Sequence, residues 1–264
     1  MKIVAILLLA ILTFSCSDDD EKGTEENKGQ WAMIFNETIK SDSNPVDRTE
    51  KFMFDGKRLI QHIIKQRYFE EEISNEVNLS YSDNQVTVTT DYLTLVYTLN
   101  SEGYASQCVY SLSSQNRIYQ FSYSAEGYLT GIVENIDDTE YSSTSLTYEN
   151  GDITSISSKM NGLENKFIYE PGEESSTYHL PCLGLLEIHP LTFHIEALYA
   201  GLLGKDPRHF TIHSCPAGSN DENTVYSYGF DKKGNPSRMI CQTTYAGGQA
   251  SYYPYTRNIS ISFE

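Results

Sequence analysis

A short unit recurs along this chain: an aromatic residue, a few polar residues, a glycine or asparagine, and then the aliphatic start of a new strand. One copy is Tyr-Glu-Asn-Gly at 148–151, before Ile153, and another is Phe-Asp-Gly at 54–56, before Leu59. Asn-Gly and Asp-Gly supply the positive φ angles that tight β-hairpin turns require. The unit therefore predicts a chain of hairpins, with Gly151 in a tight turn.

Between the turns, apolar and aromatic residues occupy every second position. The clearest sets are Tyr119, Phe121 and Tyr123; Tyr226, Tyr228 and Phe230; and Ile259, Ile261 and Phe263. Successive side chains of a strand point to opposite faces, so each set lies on one face, with Ser and Thr on the other. We expect an all-β fold: a single β domain over residues 31–264, in which an antiparallel meander forms a curved sheet or a barrel with its aromatic face inside.

The hairpin unit resembles a degenerate YD repeat, the β-hairpin unit of Rhs-type shells, most clearly in Tyr-Ser-Tyr-Gly-Phe-Asp-Lys-Lys-Gly-Asn at 226–235. Over roughly residues 50–264 the chain is also similar to a group of uncharacterised Bacteroidetes surface lipoproteins, built from similar hairpins and described as having a porin-like fold. This resemblance implies a porin-like shape. It implies no activity, catalytic residue or cofactor, because none is assigned to that group.

The strands lack the pattern of a transmembrane barrel. Such a barrel needs an outward apolar residue at every second position over about 10 residues. Stretches such as 142–145 and 155–158 are too polar on their second face. We therefore expect a lipid-tethered sheet or barrel that stands in water.

The N-terminus has the layout of a cleaved secretory signal. Lys2 precedes an apolar run over residues 3–12, and Ser15 and Cys16 follow it. This run is too short to span a bilayer, and we predict a signal peptide at 1–15. The surroundings of Cys16 resemble a bacterial lipoprotein signal, although Thr13 stands where Leu is common, so Cys16 is the predicted site of lipidation. An ordinary signal peptide is the alternative.

Residues 16–30 are predicted to form a disordered acidic tether after the lipidated cysteine, because they are rich in charged residues and glycine and cannot bury a core. The acidic tract at 17–21 is similar to that of surface-exported lipoproteins. Acyl chains would hold the domain at the bilayer. The expected location is therefore the outer membrane, lipid-anchored and exposed at the cell surface.

The charge of the chain argues against nucleic acid as a partner. The formal net charge is −17, with 36 acidic and 19 basic residues. A phosphate-binding surface needs clustered Lys and Arg, and the basic residues here are scattered. The same sign disfavours direct binding to anionic headgroups, which leaves the acyl anchor at Cys16 as the expected contact with the lipid bilayer.

The stretch at about 171–223 interrupts the hairpin rhythm and is predicted to be a helical insertion. Pro190 stands where helices often begin, and Gly204 with Pro207 supplies a stop. Apolar residues recur between them at helical spacing, at Leu191, Ile195, Leu198, Tyr199 and Leu202. We expect one helix, roughly Pro190–Leu203, laid over an end or a face of the sheet. Its apolar stripe is interpreted as core, with the lining of a ligand groove as the alternative.

The insertion also concentrates histidines and cysteines. Five of the six histidines fall in it: His179, His189, His194, His209 and His213. Their spacings match no zinc pattern, and no catalytic signature occurs elsewhere, so we predict no catalytic, metal or cofactor-binding residues and no cofactor.

Cys182 and Cys215 bracket the helix, and a disulfide between them would close a loop of about 33 residues and add about 3–4 kcal/mol to the stability of the fold. Cys108 and Cys241 would be buried thiols or a second bridge.

The function favoured by these features is a non-enzymatic binding or adhesion module at the cell surface, with a glycan, a peptide or a protein as its ligand. Tyr side chains would supply the contact surface, because Trp31 is the only Trp. Two alternatives remain: a hydrolase that uses the His-rich insertion, and a structural accessory of an outer-membrane complex.

Overall fold

The computed structural model describes residues 29–39, 46–68, 71–112, 115–219, 222–245 and 255–264. The predicted signal peptide, Cys16 and almost all of the predicted tether lie outside these described residues. Within them, no helix is long and apolar enough to cross a membrane.

Sixteen β-strands make up most of the described residues. They are β1 (Gln30–Ile39), β2 (Val46–Asp55), β3 (Arg58–Tyr68), β4 (Glu71–Ser82), β5 (Gln85–Thr89), β6 (Thr94–Leu99), β7 (Ala105–Leu112), β8 (Gln115–Tyr123), β9 (Leu129–Ile136), β10 (Thr139–Glu149), β11 (Asp152–Met160), β12 (Leu163–Ser175), β13 (His209–Pro216), β14 (Glu222–Phe230), β15 (Pro236–Tyr245) and β16 (Tyr255–Phe263).

The strands close into a barrel. Each pairs antiparallel with its neighbour in sequence, and β1 pairs with β16, with Met33 opposite Phe263 and Glu37 opposite Ile259. Closure removes the free edges that an open sheet would expose. The predicted antiparallel meander is thus confirmed, and of the two shapes expected from the sequence the structure has the closed barrel.

The alternation along the strands sorts side chains between the lumen and the outside. Tyr119 and Phe121 of β8 are buried, whereas Gln120 between them is exposed. On β10, Leu146 is buried between the exposed Ser145 and Thr147. The aromatic face is therefore inside, and these strands present hydroxyl and amide groups outside.

The insertion folds into the lumen as a plug, defined here as residues 176–208 between β12 and β13. It enters and leaves at one end of the barrel, where Lys205 N donates to Gly127 O at 2.9 Å and Arg208 N donates to Gly151 O at 3.1 Å. We call this the plug end, and the opposite end the far end. The expected helix over an end or a face of the sheet lies on the inner face, because the plug's apolar side chains are buried inside the barrel: the ring of Tyr199 lies 4.1 Å from that of Phe52.

The plug contains three short helices instead of one long one. They are α1 (Leu183–Leu186), a 3-10 helix (Leu191–Phe193) and α2 (Ile195–Tyr199). The predicted helix is interrupted because His194 has φ −123° and ψ 27°, and α2 ends before Gly201, whose φ is +68°. The predicted apolar stripe does reach the core, since Leu191, Tyr199 and Leu202 are buried.

The predicted tight turn at Gly151 is confirmed. It lies between β10 and β11 with φ +88°, after Asn150 with φ +53°. Both angles are in the region that Gly and Asn adopt most readily, which is why Asn-Gly marks this hairpin.

Candidate functional site

The inward positions of the strands change character from the plug end to the far end. On β8, Phe121 lies nearest the plug end, Tyr119 follows, and Arg117 lies nearest the far end. On β9 the inward series passes from Ile132 to Glu134, in register with β8. The far half of the lumen therefore carries charged side chains at positions that are apolar in the plug half.

Glu134 is the centre of one charged network. The residue is fully buried, and its carboxylate lies 2.6 Å from His189 Nε2 of the plug. It also accepts hydrogen bonds from Ser142 Oγ at 2.8 Å, Arg117 Nη1 at 3.1 Å and Tyr119 Oη at 3.2 Å. Burial alone would raise the pKa of Glu134, but the bonds from His189 and Ser142 and the charge of Arg117 lower it. The ionised carboxylate fastens the plug to β9.

Ser142, His189 and Glu134 meet without forming a catalytic triad. A triad places the serine on one ring nitrogen of the histidine and the acid on the other. Here Ser142 Oγ lies 3.1 Å from His189 Nε2, and Glu134 contacts the same nitrogen. Ser142 is also only 2% exposed. This arrangement orients His189 and joins two elements, and it presents no activated hydroxyl.

A second network fastens the plug to β2 and β3. His62 Nδ1 lies 2.9 Å from Glu196 of α2, and its Nε2 lies 3.2 Å from Glu50 of β2. Glu50 also forms an ion pair of 2.7 Å with Arg48. Burial opposes a charge on His62, but hydrogen bonds and attraction to the two carboxylates raise its pKa. The two carboxylates thus favour the protonated form of His62, which joins the wall to the plug.

A cavity of about 640 Å³ lies in the far half of the lumen. Its floor is the plug around Glu187 and His189, and its wall comes from β11 to β15, with hydroxyl and aromatic side chains: Ser214, Thr224, Thr243, Phe167, Tyr169 and Tyr226. Its volume falls within the range of about 300–1,000 Å³ that is usual for small-molecule sites. Of the spaces that the described residues enclose, this one combines depth with convergent polar groups.

The hydroxyl groups of the cavity wall are paired across strands. Thr224 Oγ1 lies 2.9 Å from Thr243 Oγ1, and Ser214 Oγ lies 3.0 Å from Tyr226 Oη. Each pair uses one O–H within itself, and Tyr226 and Thr243 also contact the thiols of Cys182 and Cys241. Lone pairs of the hydroxyl oxygens stay available. The wall can therefore hydrogen-bond a ligand without first breaking its own structure.

The five histidines of the predicted insertion do not converge. Each has its own partner: His179 with Asp206, His189 with Glu134, His194 with Tyr97, His209 with Asp152 and His213 with Glu170. Among the residues that the structure describes, no group of three His, Cys, Asp or Glu side chains is arranged to hold a metal ion.

His194 illustrates the difference between the two halves. It is fully buried beside Tyr97, Tyr119 and Phe121, with Tyr97 Oη 2.8 Å from its Nδ1. Burial lowers the pKa of His194 to about 3, so the ring is neutral. It serves as part of the aromatic core.

The predicted disulfide between Cys182 and Cys215 is not formed, and all four cysteines of the described residues are free thiols. Cys182 is buried in the plug beside Tyr226, which faces the lumen. Cys215 follows the inward Ser214 on β13 and so lies on the opposite face of that strand. Closeness in the insertion's sequence did not bring the two thiols to the same side of the barrel wall. Burial raises the pKa of Cys182 to about 12.

The residues that matter most in the far half were not singled out from the sequence, although a signal for them exists. Arg117 stands two positions before Tyr119, and Glu134 two positions after Ile132. The period of two that places the apolar residues inside also places these charges inside. Charged residues in register with an inward apolar set are therefore the pattern that marks this site.

These features define a class of protein: a closed, sixteen-stranded antiparallel barrel with an internal plug and a polar cavity above it. The family model of a domain of unknown function with porin-like fold (DUF4595) matches residues 52–238, and the chain belongs to this family. Among curated proteins, none matches the chain. The similarity to YD repeats stays a prediction.

Solved structures show the same architecture. A porin-like protein from Bacteroides uniformis ATCC 8492 is similar with a TM-score of 0.81 and 27% identity, over 88% of this chain and 96% of that one. A porin-like protein from Bacteroides vulgatus ATCC 8482 is similar with a TM-score of 0.52 and 12% identity, over 86% and 96% of the two chains. The second likeness concerns the fold alone.

Proposed function

We propose that this protein is a lipid-anchored, non-enzymatic binding protein of the cell surface, and that it holds its ligand in the cavity of the far half of the lumen. The observation that carries the proposal is the cavity itself, about 640 Å³ of open space between the plug and the wall. A barrel built only for stability would gain from filling this space with apolar side chains. Hydroxyl groups and charges line it instead.

The ion-pair networks support binding over catalysis. Glu134 and His62 are held by several partners each, and those partners join the wall to the plug. Such groups make the cavity floor rigid, which lowers the entropic cost of binding. The hydrolase alternative would need a hydroxyl activated by a free ring nitrogen, and Ser142 shares its nitrogen with Glu134.

The proposed anchor is Cys16, and the support for it comes from the signal-like residues before it and the acidic tract after it. The polar outer face of strands such as β10 supports a barrel that stands in water on this anchor.

Cells fed a palmitate analogue should label the wild type and not Cys16→Ala. Equal labelling of the two would refute the anchor. Alanine at 18–21 should protect the protein from external protease, and unchanged cleavage would refute the role of the tract in surface display.

The cavity is tested by filling it. Thr224 of β14 points into the cavity and Ser227 of the same strand is exposed outside, so Thr224→Trp and Ser227→Trp form a matched pair. Protein purified from its own cells is examined by native mass spectrometry for a bound small molecule. We expect the adduct in the wild type and in Ser227→Trp, and its loss in Thr224→Trp.

Thr243→Phe serves as a second filling variant in case Thr224→Trp does not fold, which circular dichroism would reveal. A folded filling variant that retains the adduct would place the ligand elsewhere. A wild type without any adduct, and without a thermal shift against sugars, peptides and amines, would refute binding in the cavity.

A further inference from the structure

We infer that the ligand of this cavity is a small organic cation, whose ammonium group lies between Glu187 of the plug and Glu222 of β14. The inference rests on the proposed binding function and adds the chemical class of the ligand. It follows from the distribution of charge in the lumen.

The cavity itself is lined by negative charge. Glu187 and Glu222 both line it, and no Lys or Arg side chain of the described residues does. His189 also lines it, but its Nε2 is occupied by Glu134. An anionic ligand would therefore meet two carboxylates of its own sign and no Lys or Arg, whereas a cation would meet two carboxylates of the opposite sign.

The other carboxylates of the far half are compensated by arginine. Glu37 accepts two hydrogen bonds of 2.8 Å from Arg257, one to each oxygen. Glu50 pairs with Arg48 at 2.7 Å, and Glu134 pairs with Arg117 at 3.1 Å. Since each of these acids has an arginine of its own, the lumen wall beside the cavity is close to neutral.

Glu187 and Glu222 lack such a partner. Arg257 Nη1 reaches Glu187 only at 4.0 Å, and its guanidinium is already bonded bidentately to Glu37. Glu222 forms no ion pair with any residue that the structure describes. The least compensated carboxylates that face the cavity are thus Glu187 and Glu222, at the junction of plug and wall.

The field of Glu187 reaches into the cavity. Burial is the main reason that the pKa of Glu187 is raised, and repulsion from Glu222 adds to it against the attraction of Arg257. The charge of Glu187 in turn contributes to the raised pKa values of Tyr169 and Cys241, after burial as the main cause. A bound cation would relieve this repulsion.

The rest of the lining suits the neutral part of such a ligand. Phe167, Tyr169 and Tyr226 offer aromatic surface, which attracts ammonium groups as well as apolar ones. The paired hydroxyls of Thr224 and Thr243 offer lone pairs to N–H donors. Acid and aromatic groups together favour an amine over a neutral molecule of the same shape.

The experiment uses probes that differ only in charge. A glucosamine disaccharide and a lysine-containing tripeptide are each compared with their N-acetylated, neutral forms by calorimetric titration of the barrel protein. We expect at least one amine to bind about tenfold or more tightly than its acetylated form. Glu187→Gln should abolish this preference, whereas Glu102→Gln, an exposed carboxylate in a turn at the plug end, should leave it unchanged.

The outcomes separate this inference from the proposed function. If the amine and its acetylated form bind equally and Thr224→Trp abolishes both, the cavity binds ligands but charge does not select them, and the inference is wrong. If native mass spectrometry finds a neutral or anionic ligand in the cavity and no amine binds, the inference is again wrong. If no ligand of any kind enters the cavity, the proposed function falls with it.

Discussion

From the plug end of the barrel to the far end, inward positions on the same strand change from aromatic to charged. On β2 the series passes from Phe54 and Phe52 to Glu50 and Arg48. In the plug half, Phe52 packs against Tyr199 of the plug. In the far half, Glu50 and Arg48 form an ion pair.

This difference shows how one barrel can separate stability from binding. Burial of apolar surface stabilises a fold by about 25 cal/mol per Å², wherever the surface lies. A buried charge stabilises little unless it is paired, and its loss leaves its partner unpaired. We therefore expect the plug half to dominate the free energy of unfolding, and the far half to dominate the response to ligands.

The largest loss of stability is expected from a truncation in the plug half. Tyr199 is 2% exposed and packs on Phe35 and Phe52, so Tyr199→Ala should lower the free energy of unfolding by about 3–5 kcal/mol. Tyr92 is 88% exposed, and Tyr92→Ala should change the free energy of unfolding by less than about 0.5 kcal/mol. Urea denaturation measures both. Similar losses for the two variants would show that the plug does not form the core.

A smaller loss is expected in the far half. Glu134→Gln removes the charge that pairs with Arg117 and His189, and should cost about 2 kcal/mol. The matched control is Glu264→Gln, because Glu264 is 63% exposed and pairs with Lys51 at the surface. That variant should cost less than about 0.5 kcal/mol. A negligible effect of Glu134→Gln would mean that the network does not hold the plug.

His194, in the plug half, should make the protein less stable in acid. Its pKa is lowered by burial to about 3, against an ordinary value of 6.5. Below pH 6.5 the unfolded chain takes up a proton that the folded chain does not. The free energy of unfolding therefore decreases by up to about 1.4 kcal/mol for each unit by which the pH is lowered. His194→Gln should flatten this acid limb.

His62 should act in the opposite direction from His194. Burial opposes its protonation, but Glu196 and Glu50 raise its pKa above 6.5. Its contribution to stability is therefore complete below 6.5 and is lost as the pH rises through the folded-state pKa. His62→Gln should flatten the alkaline limb and spare the acid one. Identical pH profiles for His62→Gln and His194→Gln would contradict the opposite pKa shifts of the two histidines.

Local patterns in the sequence were enough to predict the meander, its inward face and the turn at Gly151. Hairpins are local, so a turn dipeptide and a period of two specify them. Closure is not local, because it depends on pairing between Met33 and Phe263 at opposite ends of the chain. The position of the plug depends in turn on closure, which explains why its apolar stripe was predicted and its place inside the lumen was not.

The candidate site was hidden for a different reason. Spacing in the sequence drew attention to the histidines and to Cys182 and Cys215. Each histidine instead pairs with a different residue, and Cys215 lies on the face of β13 opposite to the inward Ser214. Glu187 and Glu222 come together only because the plug rises beside β14. Their convergence requires the tertiary structure, whereas the inward position of Glu134 could have been inferred from its register with Ile132.

The smallest expected effect compares turn glycines at the two ends of the barrel. Gly151 and Gly162 follow β10 and β11, with φ of +88° and +79°, so alanine at either should cost about 1 kcal/mol in backbone strain. At Gly151 a methyl group would also lie 2.6 Å from Arg208 Cδ of the plug, whereas at Gly162 it would meet nothing within 4 Å. Gly151→Ala should therefore destabilise by about 0.5–1 kcal/mol more than Gly162→Ala. Adding Arg208→Ala should remove part of this excess in a double-mutant cycle, because Tyr128 Oη would still lie 2.7 Å from the methyl group. Equal losses at the two turns would mean that the plug does not press on the wall at its own end.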